Sequence, residues 1–169
     1  ASKKQLFLTI LDRVGESTLR HWQGLASDSP DPWTLLRRIG LAQYEIVLAR
    51  PDALRLQFQA LSEAEDPEIR ETLRRNFASY AEFLSGIIIQ GKANGQFVPD
   101  LDVNVAAWQL ISTGFTLNLT SLLGFDQELG RETLEVMGDN LVITFGAAHR
   151  APSDGTGPQP SAAPKERVP

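Results

Sequence analysis

The sequence contains no cysteine, which excludes disulfide bonds, thiolate metal sites and cysteine nucleophiles. It has two histidines, His21 and His149, which lie far apart along the chain. Since transition metals are usually bound by clustered cysteine and histidine side chains, we expect no metal and no cofactor. The lack of cysteine also fits a reducing, cytoplasmic compartment.

Long apolar runs and an excess of basic residues are lacking as well. The most apolar stretch, residues 103–123, is interrupted by polar side chains, and we therefore predict no membrane span. No basic segment followed by an apolar stretch opens the chain, so we predict no signal peptide. The formal net charge is −5. Because an acidic domain gains nothing from counterion release at the phosphate backbone, we do not expect this chain to bind nucleic acid by itself.

Helix start signals recur along the chain, and the alternation of apolar and polar residues that is typical of strands does not. Leu6 and Ile10 belong to a helical spacing that begins almost at the first residue. Two later helices start with Asp followed by Pro, at residues 31–32 and 66–67, where Asp caps the helix and Pro occupies its first position. Pro51 separates a second helix from a short third one.

Stop signals and composition define the rest of the chain. Residues 94–95, Asn-Gly, end a long fourth helix, and Asp100 or Asp102 caps a fifth. The predicted fold class is all-α, an antiparallel helical domain of about six helices over residues 1–149. Residues 150–169 hold five of the ten prolines and little that could fill a core, which predicts a disordered Pro-rich tail.

The last two predicted helices carry more apolar surface than one core covers. The fifth is apolar or small nearly all round, and the sixth adds an apolar stripe. One side can face the core of the domain, but the other needs a partner. We therefore expect a homodimer in which these helices form a four-helix bundle. The predicted interface residues are Phe115, Leu119, Leu122, Leu134, Met137, Leu141 and Phe145.

Three segments of the chain are similar to those of a known family: SKKQLF at residues 2–7, PDALRLQFQALSEAEDPEIRETLRR at 51–75, and GKANGQFVPDLDVNVAAW at 91–108, followed by Gly114. Together they resemble tetracycline-repressor-type (TetR family) transcriptional regulators, over residues 2–147. In that family the first motif ends the DNA-binding head and opens the helix that leads into the regulatory domain. The basic three-helix head itself is absent from this sequence.

The resemblance implies the ligand-binding and dimerisation domain of such a regulator. It would be a repressor released from DNA by a small apolar or aromatic effector, and it would contact DNA only through the N-terminal head. Two other classes stay open. One is a small all-helical enzyme or carrier that uses the same apolar cavity, and the other is a helical interaction module without a ligand.

The sequence offers no nucleophile with an evident base, so we expect no enzyme. We interpret His21 as a structural histidine rather than a ligand contact. A cavity between helices, bounded by the second to fifth, closed by the first and about 300 Å³ or larger, is the better candidate site. Each aromatic residue on its walls could equally be core packing. The predicted ligand-binding residues are Trp22, Gln43, Tyr44, Phe58, Phe77, Tyr80, Trp108 and Phe115.

Overall fold

The computed structural model describes residues 2–28, 31–125 and 128–146, and within these ranges the chain forms six helices and no strand. The predicted all-α fold of six helices is confirmed. The predicted tail lies outside the described residues. The helices are α1 (Lys3–Ser27), α2 (Pro32–Ala49), α3 (Pro51–Ser62), α4 (Pro67–Ala93), α5 (Val103–Leu122) and α6 (Arg131–Phe145).

Four of these helices begin at a side-chain cap. In each case an oxygen accepts a hydrogen bond from a backbone N–H between 2.9 and 3.4 Å away. Proline occupies the first turn of α2, α3 and α4, where its missing N–H leaves no bond unmade. Asp102, and not Asp100, caps α5, because the helix starts at the next residue. The capping residues are Ser2, Asp31, Asp66 and Asp102.

Buried apolar side chains form two separate clusters. The major core joins α1, α2, α4, α5 and α6 with the loop after α4, and the minor core joins α1, α3 and α4. The major core contains Trp22, Leu35, Leu36, Ile39, Leu84, Ile87, Ile88, Phe97, Ala106, Ala107, Val142 and Phe145. The minor core contains Leu8, Leu11, Ala60, Ile69 and Leu73. Both clusters include residues of α1 and α4, so these two helices connect them.

The last two helices, α5 and α6, do not pack closely against each other. Helix α6 packs on α2, whereas α5 packs on α4 and α2, and α5 and α6 make little direct contact. The end of α6 is fixed to the loop after α4 instead. The Val98 N–H donates to the Phe145 carbonyl oxygen at 2.8 Å, and the Phe97 and Phe145 rings meet edge to face with centroids 6.2 Å apart. Both rings are fully buried, so Phe145 belongs to the chain's own core.

The contact between Gly91 and Phe97 leads to a stability prediction. A Cβ at Gly91 would lie 2.2 Å from the Phe97 ring, and the ring has no room to move because it is fully buried. We expect Gly91→Ala to lower the free energy of unfolding by about 1–3 kcal/mol, measured by urea denaturation.

Gly86→Ala is the matched control in the same helix, since a Cβ there would meet nothing within 4 Å. That substitution should raise the free energy of unfolding by up to about 1 kcal/mol through helix propensity. Equal effects of the two substitutions would contradict the packing assigned to Gly91.

Candidate ligand cavity

A cavity of about 160 Å³ lies between the major and minor cores. Its walls come from α1, α2, α4, α5 and α6, while α3 contributes only Gln57. The cavity is therefore smaller than the expected 300 Å³ or more. The sequence also missed the wall formed by α6, because residues of α6 such as Leu134 and Leu141 were assigned to a partner interface.

Helices α1 and α4 form the inner walls and approach each other closely. A Cβ at Gly15 would lie 2.4 Å from Cγ of Asn76, so only glycine permits this distance without a shift of that side chain. The Asn76 amide donates to the Leu11 carbonyl oxygen at 3.3 Å, and the Tyr80 hydroxyl donates to the Gly15 carbonyl oxygen at 3.5 Å. Two α4 side chains thus hold the α1 backbone beside the cavity.

Three glycines line the opposite walls, one in each of the helices α2, α5 and α6. A Cβ placed at Gly40, Gly114 or Gly138 would meet no atom within 4 Å. Glycine within a helix costs about 1 kcal/mol relative to alanine. The chain therefore carries weak helix formers at positions where a missing side chain leaves open space.

Two buried polar atoms at the cavity wall have no hydrogen-bond partner among the described residues. They are Nε1 of Trp22, whose side chain is 7% exposed, and Oε1 of Gln43. The Gln43 amide nitrogen is already used, because it donates to Oδ1 of the buried Asn118 at 3.3 Å. An unsatisfied buried donor or acceptor costs about 1–3 kcal/mol, which a bound molecule with complementary groups would offset.

Within the described ranges, charged side chains line the cavity from α2 and α6, and each has an opposite charge as partner. Arg37 Nε lies 2.5 Å from Asp139 Oδ1, and Arg37 Nη2 donates to Asp139 Oδ2 at 3.2 Å. Asp139 Oδ1 is buried without a well-angled hydrogen bond, but its ion pair with Arg37 satisfies it. Glu135 pairs with Arg131 at 2.9 Å. The other polar wall groups are neutral amides, hydroxyls and the indole.

The phenol of Tyr80 on the cavity wall has a shifted pKa. Burial raises the pKa of its phenol above the ordinary value of 10.0, and the Thr18 hydroxyl opposes that shift. The phenol therefore stays protonated at neutral pH and can donate a hydrogen bond. Its ring lies 5.2 Å from Trp22 and 5.9 Å from Phe77, centroid to centroid, which joins three aromatic side chains along one wall.

The predicted ligand-binding residues divide into two groups. Trp22, Gln43, Phe77, Tyr80 and Phe115 line the cavity, whereas three others do not. The Phe58 ring packs against the Phe115 ring with centroids 5.2 Å apart, Trp108 is 43% exposed, and Tyr44 is half-buried. The exposed His21 is not among the wall residues either. The spacing of residues along the sequence could not separate these groups. Helical periodicity shows which residues share one face of a helix, but it does not show what that face packs against.

The predicted interface residues also divide. Leu134 is buried within the chain, as is Phe145, while Phe115 is half-buried against Phe58. Leu122 and Leu141 are half-buried, and Leu119 and Met137 are exposed. Further exposed apolar side chains lie on or next to these helices and were not predicted from the sequence, namely Val105, Trp108, Leu123, Phe125 and Val136.

Between α5 and α6 an open groove adjoins the cavity. Trp108 lines this groove, and Thr113 and Leu141 line both the groove and the cavity.

No helix within the described ranges has the length and apolarity needed to cross a membrane. Among the same residues, no group of three His, Asp or Glu side chains is arranged to hold a metal ion.

Comparisons with known proteins agree with the fold. Residues 56–136 match the family model described as "Tetracyclin repressor-like, C-terminal domain". The fold is similar to the solved structure of the "ketosteroid transcriptional regulator KstR2 of Mycobacterium tuberculosis", with a TM-score of 0.63 and 17% sequence identity. That similarity covers 86% of this chain and 74% of the other. No curated protein sequence matches the chain.

The burial of Tyr80 predicts a pH dependence. The folded chain holds the phenol proton more tightly than the unfolded chain does, so this contribution to stability is present below pH 10.0 and is lost as the pH rises through the raised pKa. Urea unfolding between about pH 8 and pH 11 should show a steeper fall in stability for the natural chain than for Tyr80→Phe. Parallel curves would show that the ionisation of Tyr80 is not linked to folding.

Proposed function

Because residues 56–136 match a tetracycline repressor-like C-terminal domain model, we propose that this chain is the effector-binding and dimerisation part of a TetR-type transcriptional regulator. The observation that carries the proposal is the cavity between the two cores, which has apolar walls and two buried polar atoms without partners. Small-molecule sites have this character, mostly apolar with a few placed polar groups. Since such a regulator acts on DNA, a cytoplasmic location fits the proposal.

The wall chemistry favours binding over catalysis. Neutral amides, hydroxyls and an indole line the cavity, and its charged residues are engaged in ion pairs with one another or with Arg131. Among the described wall residues there is no histidine, and both carboxylates are paired, so none of them is a free base beside a hydroxyl. We therefore propose a regulator that binds its effector without converting it.

The effector we propose is smaller than a ketosteroid, the compound class for which the similar regulator is named. A cavity of about 160 Å³ does not hold a fused steroid skeleton in its present form. An engineered cavity of about 150 Å³ in another protein binds benzene, which sets the scale for this one. A ketosteroid is therefore not proposed as the effector of this chain.

Helix α1 provides a route from the cavity to DNA. Its face from Leu11 to Trp22 forms a cavity wall, and nearer its start Lys4 pairs with Asp66 at 2.6 Å and Glu68 at 3.1 Å on α4. We propose that a DNA-reading head attached to this helix responds when the effector shifts α1 against α4. A coupling free energy of about 1–3 kcal/mol would change DNA occupancy severalfold to about a hundredfold.

The exposed apolar side chains of α5 and α6 support a homodimer. They include Trp108, Leu119, Val136 and Met137, and Trp108 lines the groove between the two helices. A two-fold interface would use this same surface on both subunits. Because Thr113 and Leu141 border both the groove and the cavity, a partner seated there would also cover the edge of the ligand site.

Association is testable by sedimentation velocity at micromolar concentration, where we expect a dimer. Leu119→Asp combined with Val136→Asp should weaken the dimer by about 2 kcal/mol or more, since both side chains would lie in the interface. Leu48→Asp on α2 introduces the same charge at an exposed leucine and should leave the dimer intact. A monomeric natural chain, or equal loss in the control, would rule out this interface.

Effector binding is testable by thermal unfolding with a panel of small ring compounds. A compound present at about one hundred times its Kd should stabilise the natural chain by about 2.7 kcal/mol. Gly114→Leu fills the cavity from α5 and should abolish that stabilisation, whereas Gly86→Leu, on an exposed part of α4, should keep it. If no compound stabilises the chain, or if Gly114→Leu responds fully, the cavity is not the effector site.

A further inference from the structure

The size of the cavity limits the effector to a compact molecule. A volume of about 160 Å³ is close to that of an apolar cavity that holds benzene and well below the 300 Å³ at which drug-sized sites begin. Leu73, Phe77 and Leu84 on α4 and Leu110 and Ile111 on α5 supply apolar surface. A body of one or two rings fits both the volume and these walls.

The unpartnered polar atoms specify what such a body must carry. Trp22 Nε1–H is a donor and requires an acceptor, and Gln43 Oε1 is an acceptor and requires a donor. The Trp22 indole is more than nine-tenths buried, and its ring packs on Tyr80 and Phe83, which fixes its position. The Gln43 amide is held by Asn118. A hydroxyl is the simplest group that both accepts and donates a hydrogen bond.

The paired charges on the cavity wall disfavour an ionised effector. Arg37 and Asp139 neutralise each other, and Glu135 is paired with Arg131, so the described wall offers no free counter-charge. Burying an ionised group without a partner costs far more than a hydrogen bond returns. A carboxylate, phosphate or ammonium effector is therefore disfavoured here.

Building on the proposed function, we infer that the effector is a neutral one- or two-ring compound that carries a hydroxyl group. Its ring system occupies the apolar space between α4 and α5. Its hydroxyl satisfies Trp22 Nε1, Gln43 Oε1 or both. Recognition thus depends on two neutral side chains from α1 and α2.

Three probes that share one ring skeleton test this inference: naphthalene, 2-naphthol and 2-naphthoate. Isothermal titration calorimetry should show 2-naphthol binding about three- to tenfold more tightly than naphthalene, the value of one hydrogen bond. The anion 2-naphthoate should bind more weakly than both. The hydrocarbon measures the apolar contribution alone, and the anion measures the penalty for charge.

Variants identify the groups responsible. Trp22→Phe removes the donor and Gln43→Met removes the acceptor, and at least one of them should bring the affinity for 2-naphthol down to that for naphthalene. Trp33→Phe is the matched control, because it makes the same change at an indole that packs on Phe97 and lies outside the cavity and the groove. It should leave all three affinities unchanged. Circular dichroism verifies that each variant is folded.

The outcomes separate the inference from the proposed function. Equal affinities for naphthalene and 2-naphthol, tightest binding of 2-naphthoate, or a preference for 2-naphthol that survives both cavity variants would overturn the inference. Each of these results would leave an effector-binding domain in place. If none of the probes binds, both the inference and the proposed effector site fail.

Discussion

The contact between α1 and α4 at Gly15 is the constraint on which the rest of the structure depends. Helix α1 can lie against Asn76 only because residue 15 has no Cβ, and the Asn76 and Tyr80 side chains then hydrogen-bond to α1 carbonyl groups. This contact positions Trp22 on one cavity wall and Tyr80 beside it. Both cores include residues of these two helices, so a displacement of α1 would affect the cavity and the two cores together.

The cavity has a cost in stability that the remainder of the fold must offset. Glycines at positions 40, 114 and 138 weaken their helices, and two polar atoms of Trp22 and Gln43 are buried without partners. Proteins commonly retain such unfavourable features where function needs them. Capped helix starts and the fully buried Phe97 and Phe145 rings provide compensating stability away from the cavity. These unfavourable features therefore lie at the proposed ligand site.

Polar contacts on the surface have a different role from those in the cavity. Lys4 lies between Asp66 and Glu68, and its contact with Asp66 lowers the pKa of that carboxyl group, while Arg75 pairs with Asp12 at 2.8 Å. Exposed ion pairs of this kind contribute little to stability. They do join α1 to the start and the middle of α4, and the alignment of these two helices would matter to a DNA-reading head. Salt should weaken that alignment before it weakens the cores.

The sequence by itself determined the helices, their starts and the family resemblance. Caps at Asp31 and Asp66 and the break at Pro51 act through local backbone geometry, which needs no knowledge of distant residues. The tertiary structure decided which apolar side chains face the cavity, the core or solvent. Trp22 and Trp108 look alike in sequence, yet one is buried on the cavity wall and the other is exposed. Helical periodicity defines a face of a helix, but only packing between helices determines what that face meets.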